Sequence, residues 1–388
     1  MVFQNRLLIL AAALSLLMAA CGPKPMAPRA ELDTPGHHVN NGHKLLQAGK
    51  LAAAGKEFQR ALELDPEYSP GFVGLGLVTA EQGDVEAGLE AIKAALKHAQ
   101  DDDQKYAAWI GSMRIYTASR QEAGPDWLKR TEQIHRRAVR TFEDRPDAYY
   151  FMGLGYKHAY AFGPAVAEFR KVLDIDRAYV EQADREYALV QKIQRAMPGS
   201  EVGKKVALVE RITRADVAAL FIEELKIDEL YAKRAPRVFD TSFKSPQKEF
   251  VSGEYVKSPP AGDIDGHVLK ADIDAVVAMG IRGLQPGPDH KFEPDKTITR
   301  AAYAMMIEDI LIKMTRDDGL ATRFVGSVSP FPDLRNDLPY FNAAMVCVNG
   351  GIMAVKDPVT REFDPLGSVS GADALLGLRT LKTRLDKY

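Results

Sequence analysis

A repeated pattern of small and large residues runs through the first half of this chain of 388 residues, and it constrains the fold more than any other feature. Gly42 and Gly76 stand 34 residues apart, and the frame returns at Gly153. Small residues let two helices approach, and large residues fill the groove between them, so the pattern predicts stacked helix pairs. The positions that share the frame are Ala54, Phe58, Ala61 and Pro66, then Gly88, Ile92 and Ala95, and finally Ala165, Phe169 and Val172, with Tyr149 and Tyr156 beside them.

This spacing resembles the tetratricopeptide repeat (TPR), in which each unit is a pair of helices. We expect three or four pairs between residues 37 and 195. The unit from Trp109 to Ala138 fits poorly, because its frame is stretched near "RQEAGPDW", and a longer loop is predicted there. Arrays of this family bind peptides or proteins along one face, so the resemblance implies an unidentified protein partner. The alternative is a spacer that binds nothing.

The first residues have the pattern of an export signal. Arg6 precedes an apolar run at 7–20 that is short for a transmembrane helix, and Cys21 follows two alanines. This resembles the lipobox of bacterial lipoproteins, which implies a signal peptide at 1–20 and acylation of Cys21. Several acyl chains on one residue anchor a protein stably. Gly22, rather than aspartate, after the cysteine implies the outer membrane, with the protein facing the periplasm. An ordinary signal peptide is the alternative.

A proline-rich tether is predicted at 21–36, between the cysteine and the array. If Cys21 is acylated, Cys347 has no partner within the chain for a disulfide. The neighbours of Cys347 are apolar, so we expect a small buried residue there rather than a catalytic thiol.

A second motif marks the C-terminal half. "ERITRADVAALFIEEL" at 210–225 and "FEPDKTITRAAYAMMIEDIL" at 292–311 both contain Ile-Thr-Arg-Ala, and "LGSVSGADALLGLRTL" at 366–381 has Gly371 in place of the arginine. In the later copies a helical segment, a Gly-Ile pair and a loop precede the motif. This layout resembles the S-layer homology (SLH) domain.

The fold class that these resemblances imply is mainly α, with a TPR helix-pair solenoid followed by an α-helical SLH-type bundle with long loops. Three SLH-like units are predicted within 196–388. They occupy 196–231 (partial), 262–312 and 330–384, and a loop insert lies at 232–261.

The threonines of the motif are expected to cap helices, since a hydroxyl can accept from the free N–H groups of the first turn. Asp216 and Asp373 follow Thr213 and Ser370 by three residues, which predicts short-armed capping boxes. Ala302 stands at that position after Thr299, so the central cap should be weaker.

Arg214 and Arg300 place a positive charge where the helix dipole already favours an anion. A planar guanidinium can bind a carboxylate in two places. The SLH resemblance implies that Arg214 and Arg300 contact an anionic cell-wall polymer or peptidoglycan, with Thr213 and Thr299 shaping the helix start. The alternative is that each arginine pairs with an acid of the next unit and holds the bundle together.

Other function classes find little support. A formal net charge of −2 gives no indication of nucleic-acid binding. No familiar catalytic or phosphate-binding motif occurs, and His37, His38 and His43 lack further ligands for a metal. We therefore expect no cofactor, no metal and no enzymatic activity; a cell-wall hydrolase, which needs an acid of raised pKa in a cleft, is the enzymatic rival. The sequence predicts an envelope lipoprotein that links membrane to wall. The alternative function is an assembly or scaffold factor for an outer-membrane or secretion complex, with a purely structural SLH bundle.

Overall fold

A computed structural model describes residues 25–234 and 261–386 of the chain. These residues are mainly helical, with 16 helices and no strand among them. The chain divides between Tyr187 and Ala188 into two compact units. The predicted lipidation residue Cys21, the predicted signal peptide and most of the predicted insert lie outside the described residues.

No helix in these two ranges combines the length and the apolar character that crossing a bilayer requires.

The N-terminal unit consists of helix pairs. Its helices are α1 (Pro35–Gln47), α2 (Leu51–Leu64), α3 (Ser69–Glu81), α4 (Val85–His98), α5 (Asp102–Ser119), α6 (Trp127–Thr141), α7 (Pro146–His158) and α8 (Phe162–Ile175). Within each pair the two helices pack together, and the first helix of each pair also packs on the first helix of the next. The expected arrangement of consecutive pairs, packed as in a repeat array, is therefore confirmed.

The small residues of the repeated pattern lie where two helices touch. A Cβ at Gly42 would come within 2.6 Å of the Phe58 ring, and a Cβ at Gly153 would come equally close to Phe169. The two phenylalanines are completely buried. Glycine is required at these positions because the aromatic ring of the second helix occupies the space that any side chain would need.

The third pair departs from the others in the predicted place. Helix α5 is 18 residues long, and a 3-10 helix at Arg120–Ala123 separates it from α6. Gly124 follows with a φ of +103°, a conformation that only glycine adopts readily. The longer loop expected near "RQEAGPDW" is thus confirmed.

The residues before the array contact it. The N–H of Met26 donates to the carbonyl of Glu63 in α2 at 2.7 Å, and Arg60 donates to the Asp33 carboxylate from Nη2 at 2.5 Å and from Nε at 3.1 Å. Helix α1 begins at Pro35 and is capped by Thr34, two residues before the predicted start of the array. Part of the predicted tether therefore packs on α2.

The C-terminal unit begins within α9 (Val180–Ala196), the helix in which the chain divides. It continues with α10 (Glu201–Ala207), α11 (Arg214–Glu223), α12 (Ile227–Arg234), α13 (Lys270–Ala278), α14 (Arg300–Thr315), α15 (Phe341–Asn349) and α16 (Gly371–Leu385), and a 3-10 helix lies at Asp318–Thr322. The apolar faces of α11, α14, α15 and α16 form the core, in which Phe221, Tyr303 and Phe341 are almost completely buried.

The three segments that lead into α11, α14 and α16 meet in the middle of this unit. The N–H of Ile298 donates to the carbonyl of Ile212 at 3.0 Å, and the N–H of Ile212 donates to the carbonyl of Val369 at 3.0 Å. All three side chains are buried. Main-chain hydrogen bonds thus gather the three copies of the motif around a common centre.

Candidate functional site

The first two copies of the motif begin their helices with the predicted threonine caps. The hydroxyl of Thr213 accepts from the N–H of Asp216 at 3.2 Å, and the Asp216 carboxylate accepts from the N–H of Thr213 at 2.8 Å. This is the predicted capping box of α11. The hydroxyl of Thr299 accepts from the N–H of Ala302 at 3.2 Å, and Ala302 has no polar side chain to complete a capping box at the start of α14.

Arg300, next to the Thr299 cap, is buried and contacts the loop that precedes the third copy of the motif. Its exposed fraction is 6%. Its Nε donates to the carbonyl of Phe363 and its Nη2 donates to the carbonyl of Ala354, both at 2.6 Å, while the guanidinium carbon lies 4.8 Å from the centre of the Phe363 ring. Burial lowers the pKa of Arg300, but an arginine remains charged at neutral pH.

Arg214 makes corresponding contacts with the loop that precedes the second copy of the motif. Its Nε donates to the carbonyl of Phe292 at 2.6 Å, and its two Nη atoms donate to the carbonyls of Gly283 and Gln285 at 2.6 and 3.0 Å. Its guanidinium lies over the Phe292 ring at 4.6 Å. Each arginine therefore binds the loop that precedes the next copy of the motif. Its partners in that loop are carbonyl oxygens, and neither arginine has an ion pair with a described residue.

Two aspartates that the sequence analysis did not single out prepare these loops. The Asp263 carboxylate accepts from the N–H groups of Phe292 and Glu293, both at 2.7 Å, and Asp333 accepts from Phe363 at 2.9 Å in the third unit. Although burial opposes it, the backbone hydrogen bonds lower the pKa of Asp263. Each aspartate orients the phenylalanine whose carbonyl oxygen and ring contact an arginine of the motif. The signal that the sequence offered was an aspartate 29 residues before Phe292 and another 30 residues before Phe363.

The helix start of the third copy is packed too closely to admit a side chain at the position of the arginine. The N–H of Gly371 donates to the carbonyl of Val209 at 2.8 Å, and a Cβ on Gly371 would overlap the carbonyl oxygen of Val206. Helix α16 thus approaches α10 at the place where the other two copies insert a guanidinium and a loop.

A cavity of about 270 Å³ opens beside Arg300. Its walls are the loop at 351–356, the first turns of α14 and α16 and one residue of α9. The lining residues include Lys192, Arg300, Tyr303, Lys356, Val369 and Asp373.

The cavity carries an excess of positive charge. Lys192 binds the Asp373 carboxylate at 2.7 Å, and although burial opposes ionisation, the bonds from Lys192 and Ser370 lower the pKa of Asp373. Lys356 is exposed and has no ion pair with any described residue. Three cationic side chains therefore line the cavity with one carboxylate. Such a site suits an anionic group, since fixed positive charges in a concave surface concentrate anions.

The predicted site residues divide into two groups. Arg300 lines the cavity, whereas Thr213 and Thr299 are occupied in helix caps and Arg214 fastens the loop of the second unit. Lys192 and Lys356 were not predicted. Lys192 fell inside the predicted repeat array, and nothing in its local sequence indicates a binding site.

The described residues provide no group of three or more side chains that could hold a metal ion. Cys347 is completely buried in α15, as expected for a packing residue, and this burial raises the pKa of its thiol. His38 lies between the carboxylates of Asp33 and Glu57, with its two ring nitrogens at 2.8 and 2.7 Å from them.

A comparison with protein-family models finds no match to this chain, and a search of curated proteins finds no similar sequence. The resemblances to TPR and SLH sequences therefore depend on the motif residues quoted above.

Proposed function

We propose that this protein is a non-enzymatic lipoprotein of the cell envelope that links a membrane to the cell wall. The C-terminal unit, as a set of SLH-like repeats, binds an acidic wall glycan or peptidoglycan. The N-terminal unit, as a TPR array, binds a protein partner. Acylation of Cys21 holds the chain at the outer membrane, facing the periplasm.

The observation that supports wall binding best is the cavity beside Arg300. The guanidinium is held rigid by two carbonyl oxygens, so its position is fixed before a ligand arrives. Lys192 and Lys356 add two charges at the same cavity, and Asp373 is the one carboxylate among its lining residues, while Asp364 and Asp333 act on Arg300 from outside the lining. A preorganised group of cations loses little entropy on binding a carboxylate, which favours an acidic polymer as the ligand.

Co-sedimentation with isolated cell-wall sacculi tests this proposal. The protein should sediment with sacculi at low salt and be released near 1 M salt, where the Debye length is about 3 Å. The double variant Lys192→Gln, Lys356→Gln should lose most of the binding, because the ligand would then face one cation and one carboxylate.

The matched control is Lys291→Gln with Lys382→Gln, which removes two exposed lysines of the same unit that lie outside the cavity. Equal binding by both double variants would contradict a site beside Arg300. Binding at background level by the unmodified protein would contradict wall attachment altogether.

One observation favours a second candidate, an assembly or scaffold factor for an outer-membrane or secretion complex with a purely structural bundle. Arg214 and Arg300 both use their donors on carbonyl oxygens within the C-terminal unit, as a purely structural residue would. This candidate predicts a stoichiometric protein partner for the N-terminal array together with background binding to sacculi.

A further inference from the structure

The N-terminal unit contains a cavity of about 310 Å³ between α3, α5 and α7, the first helices of three consecutive pairs. Its walls are mostly apolar and include Leu77 of α3, Ile115 of α5, and Phe151 and Leu154 of α7. Because the first helices pack on one another in succession, they form a continuous layer, and the cavity lies on that layer. A cavity of this size accommodates a large apolar side chain.

One charged side chain in this cavity lacks a counterion. The guanidinium carbon of Arg114 lies 5.7 Å from the centre of the Phe151 ring, and Arg114 makes no ion pair with any residue of the described ranges. Its charge also reaches α1, where burial first and Arg114 second lower the pKa of His43. A half-buried guanidinium over an apolar wall is a strong site for a carboxylate, because little water competes for its five donors.

The other polar groups of the cavity fit the same ligand. Burial, aided by the charges of Lys157 and Arg120, lowers the pKa of His158 to about 4, so this ring is neutral at physiological pH and can donate or accept a hydrogen bond. Glu81 is the acid at the cavity and is exposed. Water therefore screens the charge of Glu81 more than that of the half-buried Arg114.

We propose that this cavity receives an acidic segment of a partner protein, in which an Asp or Glu side chain lies next to a large apolar one. The apolar side chain enters between Leu77, Ile115 and Phe151, and the carboxylate binds Arg114. This inference rests on the proposed role of the N-terminal unit as a protein-binding array, and it specifies the chemistry of the partner. A partner segment in an extended conformation suits the site, because its side chains can reach the cavity while its backbone follows the layer formed by α3, α5 and α7.

Selection of displayed random peptides on the full chain tests the proposal. Peptides that bind should be enriched in an acidic residue beside Leu, Ile or Phe. A synthetic peptide of the enriched sequence, labelled with a fluorophore, then gives the affinity by anisotropy. Arg114→Gln should weaken binding about 10- to 100-fold, the usual effect of losing a hydrogen bond to a charged group. Arg114→Lys should retain part of the affinity.

A double-mutant cycle separates direct contact from a structural effect. Replacing the acid of the peptide by glutamine should weaken binding to the unmodified chain about as much as Arg114→Gln does, and should cause no further loss on that variant. Arg137→Gln, an exposed arginine of α6, is the control and should leave binding unchanged.

Three results would overturn the proposal: no enrichment above background, enriched peptides without acids, or equal losses for the acid-to-glutamine peptide on all variants. Any of these leaves the sedimentation of the protein with sacculi unaffected, so failure of this inference is distinguishable from failure of wall binding.

Discussion

The Nε of Arg214 donates to the carbonyl oxygen of Phe292, 78 positions later in the chain, at 2.6 Å. Asp263 holds the same phenylalanine through its N–H. Arg300, Phe363 and Asp333 repeat this relationship in the next unit. The arginine of the motif therefore connects one copy of the motif to the loop before the next. Any ligand that binds this arginine meets a side chain whose position is already fixed.

Arg300→Ala should destabilise the C-terminal unit by about 2 to 4 kcal/mol, because it leaves two carbonyl groups without donors and a cavity under Phe363. Arg300→Lys should cost less, since an ammonium can reach one of the carbonyls. Denaturant unfolding followed by circular dichroism measures the change. Arg379→Ala, at an exposed position of α16, is the control. A loss for Arg300→Ala no larger than for the control would show that the connector contributes nothing to stability.

Gly371→Ala should destabilise the same unit by about 1 to 3 kcal/mol, since the new methyl group overlaps the carbonyl oxygen of Val206 and must push α16 away from α10. Gly55→Ala in α2 is the matched comparison. There the nearest atom would be a methyl of Val78 at 3.6 Å, so alanine fits and should stabilise the helix by about 0.5 to 1 kcal/mol. Unfolding free energies that change in the same direction for both variants would contradict this account of the missing arginine.

Some of these contacts could be predicted from the sequence and others could not. The helix pairs were predictable because the packing of Phe58 on Gly42 is repeated at fixed offsets, and the caps were predictable because a threonine before a helix acts locally. The carbonyl partners of Arg214 were not predictable, since backbone acceptors have no residue type. The cavity beside Arg300 depends on Lys192, which only the tertiary fold brings there.

Thr117→Val should stabilise the N-terminal unit by about 1 kcal/mol. The hydroxyl of Thr117 is buried and has no hydrogen-bond partner among the described residues, so valine removes an uncompensated polar group while keeping the shape. Thr131→Val is the control, because that buried hydroxyl donates to the carbonyl of Trp127 at 2.8 Å. The control should lose stability. A loss of stability for Thr117→Val as well would imply that its hydroxyl has an acceptor in solution.

His38 makes the stability of the N-terminal unit depend on pH. Burial opposes protonation, but the hydrogen bonds and charges of Glu57 and Asp33 prevail and raise the pKa of His38 above its ordinary value of 6.5. A group whose pKa is raised on folding contributes its full stabilisation below its unfolded pKa, and this contribution is lost as the pH rises through the folded value. The contact between residues 26–33 and α2 should therefore loosen above neutral pH.

Amide hydrogen exchange at Met26, compared at pH 5.5 and pH 8.5 after correction for the intrinsic rate, measures this loosening. His38→Gln should remove the pH dependence, and His37→Gln, which changes an exposed neighbour, should retain it. The same difference in protection between the two pH values in His38→Gln would assign the effect to another group.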